Sequence, residues 1–497
     1  MPPRQVRIPW RASLLAAIAL GALSVGAAAT DLPATPEGAE KLDAFFAAYL
    51  GKPAAGDPAT LAVTPEGSDY AVSLDLAALM APFRSAGVFY DFYDPAPLHY
   101  KLFEQDDGAW RIESSGFPPI SMHTKDGEST IAIVGYKGQF VIDPAIAWWR
   151  SGSGSADKIN VKAHGDGFDE TLDAGSLQMT ASSQAAGEGA VSSVMQESLA
   201  DLAVRFAGTP GAAKAGADAK PVDVGAHADK ALIEARLDGL RSRAALDLWA
   251  FLVAHPSRAE LAANEAALKT LLTDALAGQL KFDENIGLQK IAVQMPQGAV
   301  VMDAAKIGFG GATGATSAFE QHFTVDGLTL PPGLVPPMYR DLVPTTVDLG
   351  FKASGFDFAA ASAEAIADMH LAGDKEPISS EDEAKVWAKL LGAGPVIVDV
   401  PPSRLLGPQL DLSIQGQVRY QGDKPSGTFT VHMRNFDKTM AALKSLGPAA
   451  EREIIPFLAM AKGMAKTEGD GALTWVGELG ADGMMKINGL PLGKAPI

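Results

Sequence analysis

Two spacings of apolar residues alternate along the chain. Leu42, Phe45, Phe46, Tyr49 and Leu50 share one helical face, so the pattern predicts a helix with Thr35 as its N-cap, Pro36 in its first turn and Gly51 as its stop. From Thr60 the period falls to two. Thr60 to Val63 and Tyr70 to Leu76 flank one turn, Leu98 to Gln105 and Ala109 to Ser115 flank Asp106-Asp107-Gly108, and both pairs read as hairpins. The short runs Thr130 to Tyr136, Gln139 to Asp143, Ile159 to Ala163, Glu170 to Asp173 and Ser176 to Ser182 extend them into an antiparallel meander.

Residues 207–221, poor in large apolar side chains, read as a linker between a β-rich unit over 30–206 and a mixed unit over 222–497. A helical pattern then runs from Ala244 to Leu280 in two parts separated by Pro256. Strands resume at Ile286 to Met295, Val300 to Ile307 and Phe319 to Thr329. Ser380 and Glu383 form a capping box for a helix stopped by Gly392, and the chain closes on strands at Gly471 to Leu479 and Met484 to Ile487. Three segments pass from a strand through an aspartate, Asp75, Asp357 or Asp437, into an alanine-rich helix that the aspartate is placed to cap. The fold class is α+β, with a long, curved and twisted antiparallel sheet and alanine-rich helices covering it.

Composition narrows the function. With 47% hydrophobic and 20% charged residues, the 497-residue chain can bury a large core, which excludes disorder as its main state. Asp and Glu outnumber Lys and Arg by 59 to 41, and the net charge of -18 repels nucleic acid backbones. The absence of cysteine removes disulfides, thiolate nucleophiles, zinc ribbons and iron-sulfur clusters. Arg4, Arg7 and Arg11 precede the short apolar run Leu14 to Leu20 and the small residues of Ala27-x-Ala29, the order of a secretory signal peptide. Residues 1–29 are expected to be removed, leaving an exported periplasmic protein without a transmembrane helix; the alternative is a retained anchor.

Local chemistry is sparse. There is no Gly-x-Ser-x-Gly elbow, and the cluster from Gly308 to Gly314 has neither the dinucleotide nor the Walker spacing, so it reads as a flexible turn. The eight histidines are dispersed. The segment His164 to Glu170 gathers an imidazole with Asp166, Asp169 and Glu170, but it lacks the order of a calcium loop and reads as an acidic turn. Asp91, Asp94 and His99 among Tyr90, Phe92, Tyr93 and Tyr100 read first as cross-strand packing. No catalytic, cofactor or metal residue is assigned, and an enzyme is not expected. Trp148 and Trp149 are the ligand-binding candidates: strand neighbours face opposite ways, so at least one indole should lie near a surface or groove mouth. The stripe Phe457, Met460, Ala461 and Met464 reads as core.

The run Gly427-Thr-Phe-Thr-Val-His-Met-Arg-Asn-Phe-Asp-Lys, then Gly471-Ala-Leu-Thr-Trp-Val-Gly-Glu-Leu and Asp482-Gly-Met-Met-Lys-Ile-Asn-Gly-Leu-Pro-Leu, resembles the closing segment of uncharacterised proteobacterial envelope proteins of the YdgA-like and AsmA-like groups. The resemblance implies a periplasmic protein with a long twisted sheet and a groove for apolar ligands, and brings no catalytic residues. The expected function is a soluble periplasmic carrier of a lipid or other apolar ligand. The alternative is an assembly factor of the cell envelope that acts through a protein partner. N-terminal sequencing of the protein from its native envelope should find a chain beginning near Thr30; recovery of Met1 would establish a retained anchor.

Overall fold

The hydrogen-bonding pattern follows chain order closely, so the sheet grows as a meander. The computed structural model describes residues 29–50, 59–79, 91–92, 96–124, 127–165, 167–208, 222–373, 376–392, 394–422, 424–444, 452 and 454–494. Helix α1 (Pro36–Leu50) opens the fold. It precedes β1 (Leu61–Glu66), β2 (Asp69–Leu74), β3 (Asp91–Phe92), β4 (Leu98–Glu104), β5 (Trp110–Ser114) and β6 (Phe117–Thr124). Next come β7 (Gly127–Val134), β8 (Lys137–Asp143), β9 (Trp148–Ala156), β10 (Lys158–Gly165), β11 (Phe168–Ala174) and β12 (Ser176–Ala185). The two longest strands are β13 (Val191–Gly208) and β14 (Val222–Leu240). Helices α2 (Ser242–Ala254), α3 (Arg258–Ala263) and α4 (Glu265–Leu276) then intervene before β15 (Lys281–Met295), β16 (Gly298–Ala312), β17 (Ser317–Asp326) and β18 (Thr346–Phe356). Helices α5 (Phe358–Asp368) and α6 (Ser380–Leu391) lead to β19 (Val396–Leu406), β20 (Asp411–Gln421) and β21 (Lys424–Arg434). Helices α7 (Phe436–Lys444) and α8 (Ile455–Met464) precede β22 (Lys466–Thr467), β23 (Leu473–Leu479), β24 (Met484–Ile487) and β25 (Leu490–Lys494). All strands join one sheet with antiparallel pairing, the α+β class that the period-two pattern predicts.

Several short strands are halves of longer ones. Hairpins β6/β7, β8/β9, β10/β11 and β12/β13 alternate with the pairs β5/β8, β7/β10, β9/β12 and β11/β13, so each long strand crosses the sheet with one break. The breaks lie at one level. On either side of it stand Ile133 and Tyr136, Ala156 and Ile159, Ala174 and Leu177, Leu199 and Leu202, Ala228 and Ala231, Leu288 and Ile291, and Met302 and Ala305. The register sets Leu199 opposite Ala231, Ala231 opposite Leu288 and Leu288 opposite Ala305, and across the level Leu202 meets Ala228, Ala228 meets Ile291 and Ile291 meets Met302.

In a regular strand, residues three apart face opposite sides. One added residue reverses that, so apolar side chains above and below the level stay on one face while the sheet bends. Asp201 (φ 50°) and Lys290 (φ 52°) take the left-handed conformation there, as does Gly135 (φ 67°). A Cβ on Gly135 would collide with the Asp157 carboxylate of the neighbouring strand. Lys290 Nζ donates to Asp303 at 2.8 Å across the same level.

Helices collect at the ends of the strands. Thr35 caps α1 as expected, its Oγ1 accepting from Gly38 N at 3.0 Å, and Ala39 and Leu42 of α1 pack on Tyr70, Val72 and Leu102 to form a covered core. Ser242, fully buried, ties the start of α2 to the β8/β9 turn through Ile146 O, and Trp249 Nε1 donates to Tyr49 O of α1 at 2.9 Å. From there α2 meets α4, α4 meets α5 and α5 meets α6. Helices α1, α2, α4, α5 and α6 thus form a row along one end of the strands, while α7 follows Arg434 at the other end. Asp75 and Asp357 cap as predicted, accepting from Ala78 N at 2.9 Å and Ala360 N at 2.8 Å. Asp437 instead lies inside α7 and pairs with Lys462, and the cap of α6 is Ser379 rather than Ser380.

The pairing of β13 with β14, from Val191/Leu240 to Gly208/Val222, continues the sheet across the expected boundary, and 209–221, nearly all of the expected linker, lie outside the described residues. Residues 1–28, which carry nearly all of the expected signal peptide, lie outside the described residues, among which no helix is long and apolar enough to cross a membrane. Deleting Asp201 should turn Leu202, Val204 and Phe206 to the polar face and cost several kcal/mol, on the order of one large buried side chain for each residue displaced. Asp201→Gly, which keeps the added residue and its φ, should stay within about 1 kcal/mol of the parent. Urea unfolding of both variants checks the difference.

Candidate functional site

Alternation along the strands separates the two faces by chemistry. One is polar: His322 bonds Asp348 at 2.7 Å, Lys352 meets Glu320 at 3.3 Å, Arg205 meets Asp223 at 2.8 Å and Gln417 donates to Asp399 at 2.7 Å. The register places Met179, Met195, Leu199, Ile233, Ile286, Ile307, Phe323 and Leu349 on the other. Beside the level of added residues this apolar face is sunk, with Ala156, Ala174, Leu177, Ala228, Ala231 and Ile291 all buried. Farther along it rises into solvent: Phe282, Phe319, Phe323, Leu349 and Phe351 are between 38% and 42% exposed. Among the described residues, helix contacts with the sheet concentrate at α1 on β1, with a smaller contact of α6 on β18, so beyond them this face, here called the trough, is left open to solvent.

Across β12 to β17 the register brings only Ser183, Ser193, Glu197, Glu284 and Gln321 among polar side chains to this face, and no Lys, Arg or His. Ser183 and Ser193 satisfy each other at 2.7 Å. Glu197 does not share that arrangement. It lies between Met195 and Leu199 on β13, opposite Met179 on β12 and Ile233 on β14, is 8% exposed, and its Oε1 has no hydrogen-bond partner. Burial, with a smaller contribution from the like charge of Glu284, pushes its pKa up to about 7. Sequence reading missed it, although Met195-x-Glu197-x-Leu199 puts a charge where alternation demands an apolar residue.

Trp148 and Trp149 do not part to opposite sides as strand neighbours should. Their ring centroids lie 4.1 Å apart at 35°. Ala147 turns into the left-handed region (φ 51°), and β8 and β9 slip by one residue at Arg150, which breaks the alternation locally. Trp149 pairs with Ile142, itself opposite Trp110 of the α1-covered core, which sets the indole pair beside that core at the strand ends. Both are half-buried, and neither indole N–H has a partner.

The remaining candidates do not assemble around this site. His164 Nδ1 and Asp169 form an exposed pair at 2.5 Å on the β10/β11 hairpin, which raises the His164 pKa. Asp166 lies outside the described residues, and among those described no group of His, Asp and Glu is placed to hold a metal ion. Tyr90, Tyr93, Asp94 and the side chains of Asp91 and Phe92 are likewise outside the description, while Tyr100 faces Val72 across β2 and β4. Gly308 to Ala312 are strand rather than turn. Phe457 and Met460, expected in the core, stand 63% and 56% exposed on α8, whose outer side no described element covers. A polar concavity of about 720 Å³, bordered by Arg419, Thr428, Glu478 and Lys486, lies on the opposite face from the trough.

Glu197 ionises less readily folded than unfolded, so its contribution must disfavour the folded state as pH rises from the ordinary 4.5 through about 7. Relative to Glu197→Gln, the parent should lose up to about 3 kcal/mol between pH 4.5 and pH 8 in urea unfolding. A constant difference between the two proteins would mean that Glu197 is solvated. Compared with known proteins, the chain matches no family model, no curated protein and no solved structure.

Proposed function

We propose that the protein is a periplasmic carrier that holds an apolar or amphipathic, lipid-like molecule in the trough. One observation carries the reading: a single apolar face continues across β12 to β18, with five large side chains left about two-fifths exposed among the described residues. Apolar burial stabilises by about 25 cal/mol per Å², so an acyl chain laid along such a face gains affinity without a charged anchor. The signal-like N-terminus and the resemblance to envelope proteins support the compartment. Trp148 and Trp149 would border the ligand at the end of the trough nearest α2.

A fluorescent phosphatidylcholine analogue should bind with little dependence on salt, because screening acts on exposed charge and hardly on apolar contact. Phe323→Glu and Leu349→Glu should each weaken it at least about tenfold by placing a charge in the apolar path. Fluorescence titration at two salt concentrations checks both statements, with circular dichroism to verify the fold of each variant. Binding unchanged in both variants would exclude the trough as the seat.

An assembly role rests on a different observation. Among the described residues strand β25 pairs with β24 alone, and it exposes Leu490 and Leu492. That reading gains if no lipid analogue binds and a protein partner crosslinks through β25.

A further inference from the structure

We infer that the ligand of the trough carries an ammonium group, which Glu197 receives from the middle of the apolar face. The inference rests on the carrier reading and adds the chemistry of the ligand's polar end. A carboxyl that is more than nine-tenths buried, with one oxygen unpartnered, is costly wherever nothing completes it. Among the described residues nothing supplies such a partner. Met179 of β12 and Ile233 of β14 flank Glu197 directly, and the nearest titratable group brought to it is Glu284 of β15, another acid. The basic side chains of this region, such as Lys230, Lys281, Lys306 and Arg236, fall on the polar side of the register or in its added residues.

Two acids on an apolar surface without a cation complement an amphiphile whose head is positive. Its alkyl chain would lie on Ile286, Ile307 and Phe323, and its ammonium would pair with the Glu197 carboxylate, with Glu284 adding attraction from the side. A carboxylate or phosphate head would meet two like charges there. An ammonium favours the ionised form of Glu197, so binding should draw a proton off the carboxyl and strengthen as pH rises.

The test displaces the neutral probe N-phenyl-1-naphthylamine from the full-length mature protein with dodecylamine, 1-dodecanol or dodecanoate. At 0.5 M NaCl the diffuse negative field of the surface is screened, while a buried pair is not. Dodecylamine should displace the probe at a concentration at least about tenfold lower than dodecanol, and Glu197→Gln should abolish that advantage while keeping probe and dodecanol affinity. Between pH 5.5 and pH 8, where the amine stays protonated, its affinity should rise in the parent and stay flat in the variant. An equal preference in Glu197→Gln, or a preference for dodecanoate, overturns the inference and leaves the carrier reading intact. Failure of the probe itself to bind overturns both.

Discussion

An added residue, repeated at one level of neighbouring strands, decides which side of this sheet is apolar. Period-two alternation makes every strand a commitment: shift by one position and the apolar set moves to solvent. Here Leu199 and Leu202, Ala228 and Ala231, and Leu288 and Ile291 remain on one face only because a second residue stands between each pair where a regular strand has one fewer. Since neighbours carry the addition at the same level, their hydrogen bonds resume in register beyond it. The bend and the continuity of the apolar face therefore have a single cause, and the trough depends on both.

The same device explains what was hard to read. Met195, Leu199, Leu202 and Phe206 recur at intervals of four, three and four, the spacing of a helical face, yet they lie in β13. In Val222 to Leu240, alanines at 226, 228, 231 and 235 dilute the alternation further, and neither long strand is legible as a strand from its pattern. Elements specified by local chemistry are clear in the sequence. Thr35 caps α1, Pro256 separates α2 from α3, and Asn488 and Gly489, with φ of 49° and 84°, form the tight turn that their identity predicts. The loop-like composition of 207–221 is equally plain, but composition cannot tell a hairpin connection from a linker between domains, because only the pairing of β13 with β14 distinguishes them.

Electrostatics follows the division into faces. Several charges on the polar side are paired and exposed, as with Lys290 and Asp303 or Arg205 and Asp223, and pairs this exposed contribute little to stability. Glu197 has the opposite situation, a single acid desolvated among methionine and isoleucine side chains. The tryptophan pair was visible in sequence as two bulky neighbours, whereas its close, tilted ring contact depends on a strand slip at Arg150 that no local pattern announces. What the sequence could not show in either case is the company a residue keeps across three or four strands.

Because the chain has no cysteine, a single introduced thiol can carry a fluorophore without ambiguity. The most direct test of the trough attaches one at Leu288→Cys, Val293→Cys or Gln294→Cys, and measures quenching by a nitroxide-labelled acyl chain. Residues 288 and 293 lie on the same face only if β15 carries the added residue between them, and 294 then points away. The account requires strong quenching at 288 and 293 and little at 294. Quenching at 288 and 294 but not at 293, or at none of the three, would contradict it.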